Sequence, residues 1–526
     1  MRPSLVLLVL GLLAFGACFV PPRHQASGER EEGEGEGDQV DIPKNVVQEY
    51  FKNNANFSVD PCDDFFAHVC PESTHGMFFS NLGNLEQKMI DEYWKSHPER
   101  HFFTPESTEK NAKIIVNLVE SGEIGDLCLH PKFVPIVSQF VRVFTRSRYG
   151  DFQDLTAFHD MSCQQKVKSL QSLPQGFEKV YQRDRMKLSM IMDTLLVNTQ
   201  INDLDTNSRL LFQKIRKAVM KAIKKTPWAK NNKSVADFLK AVADIKFATF
   251  SDLRKITSSA IGNYVDYRTN CQKQLGEMYH EEQVDAICDV VATGKGSRMI
   301  AEPTGVLRPG DAEQVFMDRA VAFNSEDDLV YFGNDFLLLM STDFLSDIYG
   351  SIGFTMAHEI MHTIVFDDQD FAKPLSKLWT KSAKCVEEQN KKTCNTFPTI
   401  KCSQKLTFEE DAADLAAYRI VYDLYQRAYQ RKEKVENYES LTRQQLFFYG
   451  AAAVFCNPTA MHPRVNLGES HTNSYQRINS LMSQMDQFSA AFKCKPTDKM
   501  IMNKAEHCEL YGPAAPQTKN SFEGFY

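Results

Sequence analysis

The sequence predicts a mainly α-helical chain of more than one domain, with a small β-sheet in its second half. Three observations carry that prediction. From Glu86 to about Ile300 apolar residues recur at three- and four-residue spacing, the period of one helix face. Between Val315 and Met340 two short runs, Val321-Ala322-Phe323 and Leu329-Val330-Tyr331-Phe332, have strand composition and flank residues 324–328. A largely apolar run from Ile348 then leads, with no proline to break it, into His358-Glu359-Ile360-Met361-His362.

Taken in chain order, Met1-Arg2 precedes an apolar run, Leu5 to Val20, with the small residues Ala14, Gly16 and Ala17 near its end. That is the layout of a signal peptide over residues 1–20. The run is shorter than the ~20 residues of a bilayer span, so an uncleaved membrane anchor through residues 5–20 is the lesser alternative. Residues 21–41 hold a Gly/Glu run, S-G-E-R-E-E-G-E-G-E-G-D, which has no apolar side chains to bury and reads as a linker. Residues 42–300 form the mostly helical lobe and residues 301–526 the lobe with the His-Glu motif. Within the first, Leu211, Ile215, Val219 and Ile223 make one apolar stripe, and Lys221–Lys225 reads as a solvated face. Thr226-Pro227-Trp228 interrupts before another helical run over residues 234–246, and Arg308-Pro309-Gly310-Asp311 marks a turn.

Composition limits the function classes. The chain has 526 residues, 43% hydrophobic, enough for more than one domain. A formal net charge of −8 and the lack of a Gly-rich phosphate loop argue against a nucleic-acid partner or a nucleotide site. Thirteen cysteines point to an oxidising compartment; twelve remain if Cys18 leaves with the signal. The sequons Asn56-Phe57-Ser58 and Asn232-Lys233-Ser234 agree with a secreted, extracellular glycoprotein.

The chemistry gathers at two places. On a helix, residues four apart share a face, so His358 and His362 can offer imidazole nitrogens to one metal ion. Glu359 lies beside them and can take a proton from a metal-activated water. Such a centre needs a third protein ligand and an open position. Downstream, Thr407 to Asp414 opens a long helical pattern in which Glu410 and Asp414 are again four apart, with Ala413 and Ala417 allowing close helix approach. Glu410 as ligand and Asp414 as the carboxylate that orients a ligating histidine is one reading. Thr407 and Glu410 as a capping box is the other.

Further motifs bear on that choice. Pro61-Cys62-Asp63-Asp64-Phe65-Phe66 with Val69-Cys70 resembles the P-C-D-D-F-Y…A-C opening of the neprilysin and endothelin-converting-enzyme family of zinc endopeptidases. Residues 358–368 resemble its H-E-I-T-H-G-F-D-D, Trp379-Thr380 with Ser382-Ala383 its W-W-T…S-A, and Glu410–Asp414 its E-N-I-A-D. In the tail, Gln445-Leu446-Phe447-Phe448 resembles Q-L-F-F, and His471–Arg477 matches H-S-P-G-N-F-R at both ends. The resemblance implies a two-lobed zincin ectodomain: a thermolysin-like catalytic lobe with a small β-sheet, and a helical covering lobe. It implies one Zn2+ per chain on His358, His362 and Glu410, with Glu359, His471 and Asp414 as catalytic residues. It gives Arg477 the role of binding a substrate carbonyl or supporting the site. Val321-Ala322-Phe323-Asn324 stands where the family grips substrate with N-A-F-Y, which makes Ala322 a substrate-binding residue. Oligopeptides are the implied substrates. The implied disulfides are Cys62–Cys494, Cys70–Cys456, Cys128–Cys271 and Cys394–Cys508, leaving Cys163, Cys288, Cys385 and Cys402 unassigned. His68 and His462, with no partner at ligand spacing, read as structural.

Four departures from the family stand out. Two extra residues separate His362 from Asp367; Val321 replaces a peptide-binding Asn; Leu415-Ala416-Ala417 replaces Asn-Gly-Gly; and the helical lobe is short. The expected function is a secreted zinc-dependent metalloendopeptidase. The alternatives are a secreted, catalytically weak homologue that binds peptides or proteins, and a helical ectodomain with a chance motif and no metal. The oligomeric state is not set by the sequence.

Overall fold

The computed structural model describes residues 42, 44–71, 73, 77–95, 104–145, 161–171, 174–227, 235–276, 279–300, 321–324, 328–365, 376–397, 408–429, 441–456 and 471–512. Helix dominates, as the periodicity predicts. The chain sorts into two units that interleave along the sequence. One comprises Gln87–Asn202 and Phe250–Asp318; the other comprises Asp41–Glu86, Asp203–Thr249 and Arg319–Tyr526. The single cut expected near residue 300 is therefore replaced by a division in which two earlier segments join the C-terminal part. Among the described residues no helix is long and apolar enough to cross a membrane. The proposed signal, the linker, residues 308–311, Thr407 and His462 lie outside the described residues.

The first unit is a helical assembly around Ile115, Phe133, Phe140, Leu275, Ile287 and Val291, each close to fully buried. Its helices Phe250–Leu275 and Glu281–Ile300 run back on one another. That turn brings Cys271 to Cys288, Cα–Cα 5.4 Å, and they form a disulfide; Cys128 pairs with Cys163. Both replace the expected Cys128–Cys271 bridge. The physical reason is local: the short helical return sets Cys271 opposite a cysteine only 17 residues away. Within this unit the Arg185 guanidinium and Asp289 carboxylate, 3.0 Å apart, are almost wholly buried, with Tyr181 and Tyr264 donating to the carboxylate. A buried charge pair with further hydrogen bonds is tolerated where a lone charge would not be.

The second unit holds the sheet, in the order β1–β3–β2. Strands β2 (Val321–Asn324) and β3 (Leu329–Phe332) fall on the two short runs of strand composition and pair antiparallel, Ala322 opposite Tyr331. Strand β1 (Lys246–Thr249) pairs parallel to β3, Phe247 opposite Val330. The sequence reads that stretch as the end of a helix; the helix stops at Asp244 and the chain joins the sheet instead. The stripe of Leu211, Ile215, Val219 and Ile223 is buried as expected, and Lys221, Lys224 and Lys225 are exposed.

Five helices matter for the site: α1 (Phe354–Met361), α2 (Ser376–Thr396), α3 (Phe408–Tyr429), α4 (Arg443–Phe455) and α5 (Ser474–Ser483). The N-terminal segment belongs with them because it is tied to them. Cys62–Cys494 and Cys70–Cys456 form as expected. Asp64 caps its own short helix through the Ala67 N–H and also accepts from Asn479 Nδ2 at 3.0 Å and from the Tyr475 hydroxyl, both on α5. Cys508 bonds Cys385 rather than Cys394, because α2 presents Cys385 to the C-terminal strap at a Cα separation of 5.5 Å. Cys394 is itself disulfide-bonded.

A π-helical turn, Tyr349–Gly353, leads into α1 and crosses α4 backbone to backbone. A Cβ at Gly350 would overlap the Phe447 carbonyl, and one at Gly450 would come 3.2 Å from Gly350 C. Both partners are main chain and cannot step aside. Gly350→Ala is expected to lower stability by about 2 kcal/mol or more, read as a shift in the urea midpoint at constant slope.

His68 is structural, as the sequence indicates. Its Nδ1 lies 2.7 Å from the Val59 carbonyl and so carries the proton, leaving Nε2 to accept from the Tyr449 hydroxyl. Burial lowers its pKa below 6.5. The neutral ring therefore contributes stability above pH ~6.5, where the unfolded ring is also neutral, and that contribution is lost as pH falls. The stability gap between wild type and His68→Gln is expected to be widest above pH ~6.5 and to narrow towards pH 5, measured by urea unfolding across that range.

Candidate metal centre

Helix α1 is buried along its whole length. Its core side is fixed by Phe354, whose ring packs on Tyr418 of α3 at 5.2 Å and on Phe455 of α4 at 5.9 Å. Helix α3 lies directly against α1, and the completely buried Ala413 and Ala417 permit the approach. The acids of the first turns of α3 are thereby brought to the histidines of α1.

The geometry is close-knit. His358 Nε2 lies 3.0 Å from His362 Nε2 and 3.1 Å from Glu410 Oε2, and His362 Nε2 lies 3.6 Å from Glu410 Oε1. Ligands about 2.0–2.1 Å from a tetrahedral ion sit about 3.3 Å from one another, so this N, N, O set fits zinc. The donor atoms of His358, His362 and Glu410 all lie within 4.8 Å of one another. The other candidate grouping, Cys62, Cys494 and Asp498, has both sulfurs committed to one disulfide.

Asp414 places an oxygen 2.8 Å from His358 Nδ1, which fixes the tautomer and turns Nε2 towards the centre. Arg477 of α5 grips the same carboxylate with two nitrogens, Nε at 2.7 Å and Nη2 at 2.9 Å, and reaches Glu410 Oε2 at 3.4 Å. Its guanidinium also lies over the Phe455 ring at 4.8 Å. Of the two roles implied for Arg477, its burial and its bond to Asp414 match support of the site. His471 Nε2 is 3.2 Å from Glu410 Oε2, with its side chain 53% exposed, so this histidine forms the open wall of the centre. Ala322 sits on β2, the strand of the sheet that packs on α1. Asp367 lies outside the described residues.

The electrostatics of these protein groups follow from this packing. Burial opposes a charge on His358, yet the Asp414 and Glu410 carboxylates outweigh it and push the imidazole up to about 10. Burial and the charge on His358 take His362 down to about 4. His358 thus carries a proton while His362 is neutral, and a metal bound here would displace a proton from His358. Burial works against charge on Glu410 too, but His358 and His471 hold it well below the ordinary carboxylate range. Burial raises Glu359, which senses the charges of His358, Glu410, His471 and Arg477. Burial also lifts Asp411 up to about 7.

Asp411 and its partners are what sequence reasoning missed. Asp411 Oδ2 accepts from Asn390 Nδ2 of α2 at 2.7 Å and from Thr472 Oγ1 at 2.9 Å. The available signal was a third acid directly after Glu410: one residue on is a different helix face, so it faces away from the metal and into the protein.

A mostly helical fold carrying an H-E-x-x-H helix, a glutamate from a second helix and a carboxylate behind the first histidine is a zincin-type arrangement. Residues 331–508 match the model of peptidase family M13. Over this segment, less than half of the chain, it is similar to that family, the neprilysin and endothelin-converting-enzyme-like peptidases. Neprilysin-3 of Drosophila melanogaster is 29% identical over 179 residues, 31% of this chain and 22% of its own length. Endothelin-converting enzyme 1 of Homo sapiens is 30% identical over 185 residues, 31% of this chain and 22% of its own length. The matched part thus spans under a quarter of each of these relatives. Among solved structures, a Mycobacterium tuberculosis zinc metalloprotease, ZMP1, aligns over 85% of this chain and 97% of its own at 11% identity, with a TM-score of 0.41. A Haemonchus galactose-containing glycoprotein complex aligns over 86% and 96% at 14% identity, with a TM-score of 0.46. Both scores lie below 0.5, and the likeness to the family rests on the sequence match over residues 331–508.

Alanine at His358, His362 or Glu410 is expected to abolish zinc retention after dialysis, measured as zinc per chain by atomic emission. Asp414→Asn keeps the ligands but loses the orienting charge, and should weaken zinc about 10–100-fold in a chelator competition.

Proposed function

We propose that the protein is a secreted zinc-dependent endopeptidase that hydrolyses oligopeptides. The observation that carries this is the joint placement of His358, His362 and Glu410 at ligand separations with Asp414 behind His358. These residues would hold Zn2+. Zinc there supplies Lewis acidity towards a carbonyl and a lowered pKa for a water. Glu359 accepts the water proton on a carboxylate oxygen and returns it to the leaving amine; its burial favours the protonated form that it needs for the second half. His471, on the open wall, donates from Nε2 to the oxyanion. Asp414 and Arg477 hold His358 and Glu410 in place. The edge of β2 around Ala322 offers main-chain groups to an extended peptide, in the manner of an added strand. The five disulfides between described cysteines support an extracellular location, since such bonds persist in oxidising compartments. A cleaved signal over residues 1–20 is the proposed route, with anchoring through residues 5–20 as its alternative.

Val321, standing where the family has a peptide-binding Asn, favours a second reading, a homologue that binds peptides and turns them over weakly or not at all. A missing hydrogen bond to substrate costs on the order of 1 kcal/mol, which weakens catalysis without abolishing it. The two readings separate on one experiment. Purified protein and Glu359→Gln are incubated with a mixed peptide pool and the products read by mass spectrometry. Internal cuts by wild type, at least 100-fold slower in Glu359→Gln with zinc retained, are the expected result. Identical product traces at one zinc per chain would overturn the peptidase and leave the binding protein.

A further inference from the structure

His471 is the most exposed of the groups around the centre, yet its neighbour in sequence is among the least. Thr472 is 2% exposed, and its hydroxyl donates to Asp411 Oδ2 at 2.9 Å. Asp411 follows Glu410 on α3, so this single hydrogen bond joins the residue after His471 to the residue after Glu410. The same oxygen accepts from Asn390 on α2, and Asn390 Oδ1 accepts from Ser480 Oγ of α5 at 2.7 Å. Asp411 Oδ2 therefore joins α3 to α2 and to the segment that carries His471, and Asn390 extends the link to α5. Among the described residues the second Asp411 oxygen has no hydrogen-bond partner, and Asp411 lines a small cavity with Asn390, Arg477 and Ser480.

The main-chain position of His471 needs such a device. It stands two residues before Asn473, whose side chain caps α5 through the Gln476 N–H at 2.8 Å. A cap fixes where the helix begins; it does not fix the direction in which the preceding residues leave. The Thr472 hydroxyl supplies that second constraint, on the side facing α3.

We propose that Asp411 and Thr472 are positioning residues that aim His471 at the oxyanion site by tethering its backbone to the zinc-ligand helix. This rests on the peptidase reading, in which His471 is the oxyanion donor. An oxyanion donor is effective only when held at hydrogen-bond distance from the developing charge, and losing one entirely costs about 100–1000-fold in kcat. Freeing the donor without removing it should cost a part of that.

The test uses the full chain with Thr472→Val, which keeps shape and loses the hydroxyl, and Thr472→Ser, which keeps the hydroxyl. Thr472→Val should lower kcat about tenfold, with KM within about twofold and one zinc per chain retained; Thr472→Ser should restore most of the rate. In a His471→Ala background Thr472→Val should cause no further fall, because a residue acting through His471 has nothing left to act on. An equal fall in both backgrounds, an unchanged kcat, or loss of zinc in Thr472→Val would overturn the proposal. Crystal structures of wild type and Thr472→Val decide it independently of turnover. Displacement of the His471 ring from Glu410 supports the tether, and an unmoved ring overturns it. A wild type that cuts no peptide would sink the peptidase reading, while the ring position would still be decided by those two structures.

Discussion

A buried carboxylate, Asp414, holds the centre together. With 1% of its surface exposed, it is held on one side by two nitrogens of Arg477 and on the other by His358 Nδ1. A lone carboxylate at that depth would be protonated or driven out; paired twice over, it stays ionised, and its pKa falls despite the burial. Its charge orients His358, and its second partner, Arg477, extends to Glu410. Remove Asp414 and two buried cationic groups lose their counter-charge together.

Much of the second unit serves to keep that carboxylate and its partners in register. The small residues Ala413 and Ala417 let α3 approach α1, and the glycines at 350 and 450 let the π-turn lie on α4. Arg477 is placed by α5, which is in turn gripped by Asp64 from the far end of the sequence and pinned nearby by Cys62–Cys494. The N-terminal segment thus contributes to the centre without touching it. The polar junction at Asp411 joins α2, α3 and the approach to α5 on the side away from the metal. Burying Asn390, Thr472 and Ser480 is tolerable because each is hydrogen-bonded there, and paired groups of this kind fix one geometry.

How much of this was legible in the sequence depended on the range of the interaction. The helix of His358 and His362, the stripe of Leu211 to Ile223 and the two short strands on either side of residues 325–328 are local patterns, and each formed as read. Glu410 and Asp414 were readable as a pair four apart, but assigning them to a metal needed the family resemblance, since a capping box has the same letters. Strand β1 was not readable. Four residues, Lys246 to Thr249, become a strand only because β3, eighty residues on, offers a parallel partner. The disulfides failed for the same reason where they failed. Cys271 and Cys288 meet through the return of two helices, a fact of packing rather than of alignment. Asp411 and Thr472 were silent because a hydrogen bond between residues 61 apart leaves no periodic trace.

The central claim is that one zinc is bound by two imidazoles and a carboxylate brought together by α1 and α3. Zinc K-edge X-ray absorption on the purified protein tests it most directly. The account predicts one zinc per chain whose nearest shell is nitrogen and oxygen at about 2.0–2.1 Å, with two imidazole signatures and no sulfur. A shell containing sulfur at about 2.3 Å, or a protein that retains no zinc at neutral pH, would contradict it.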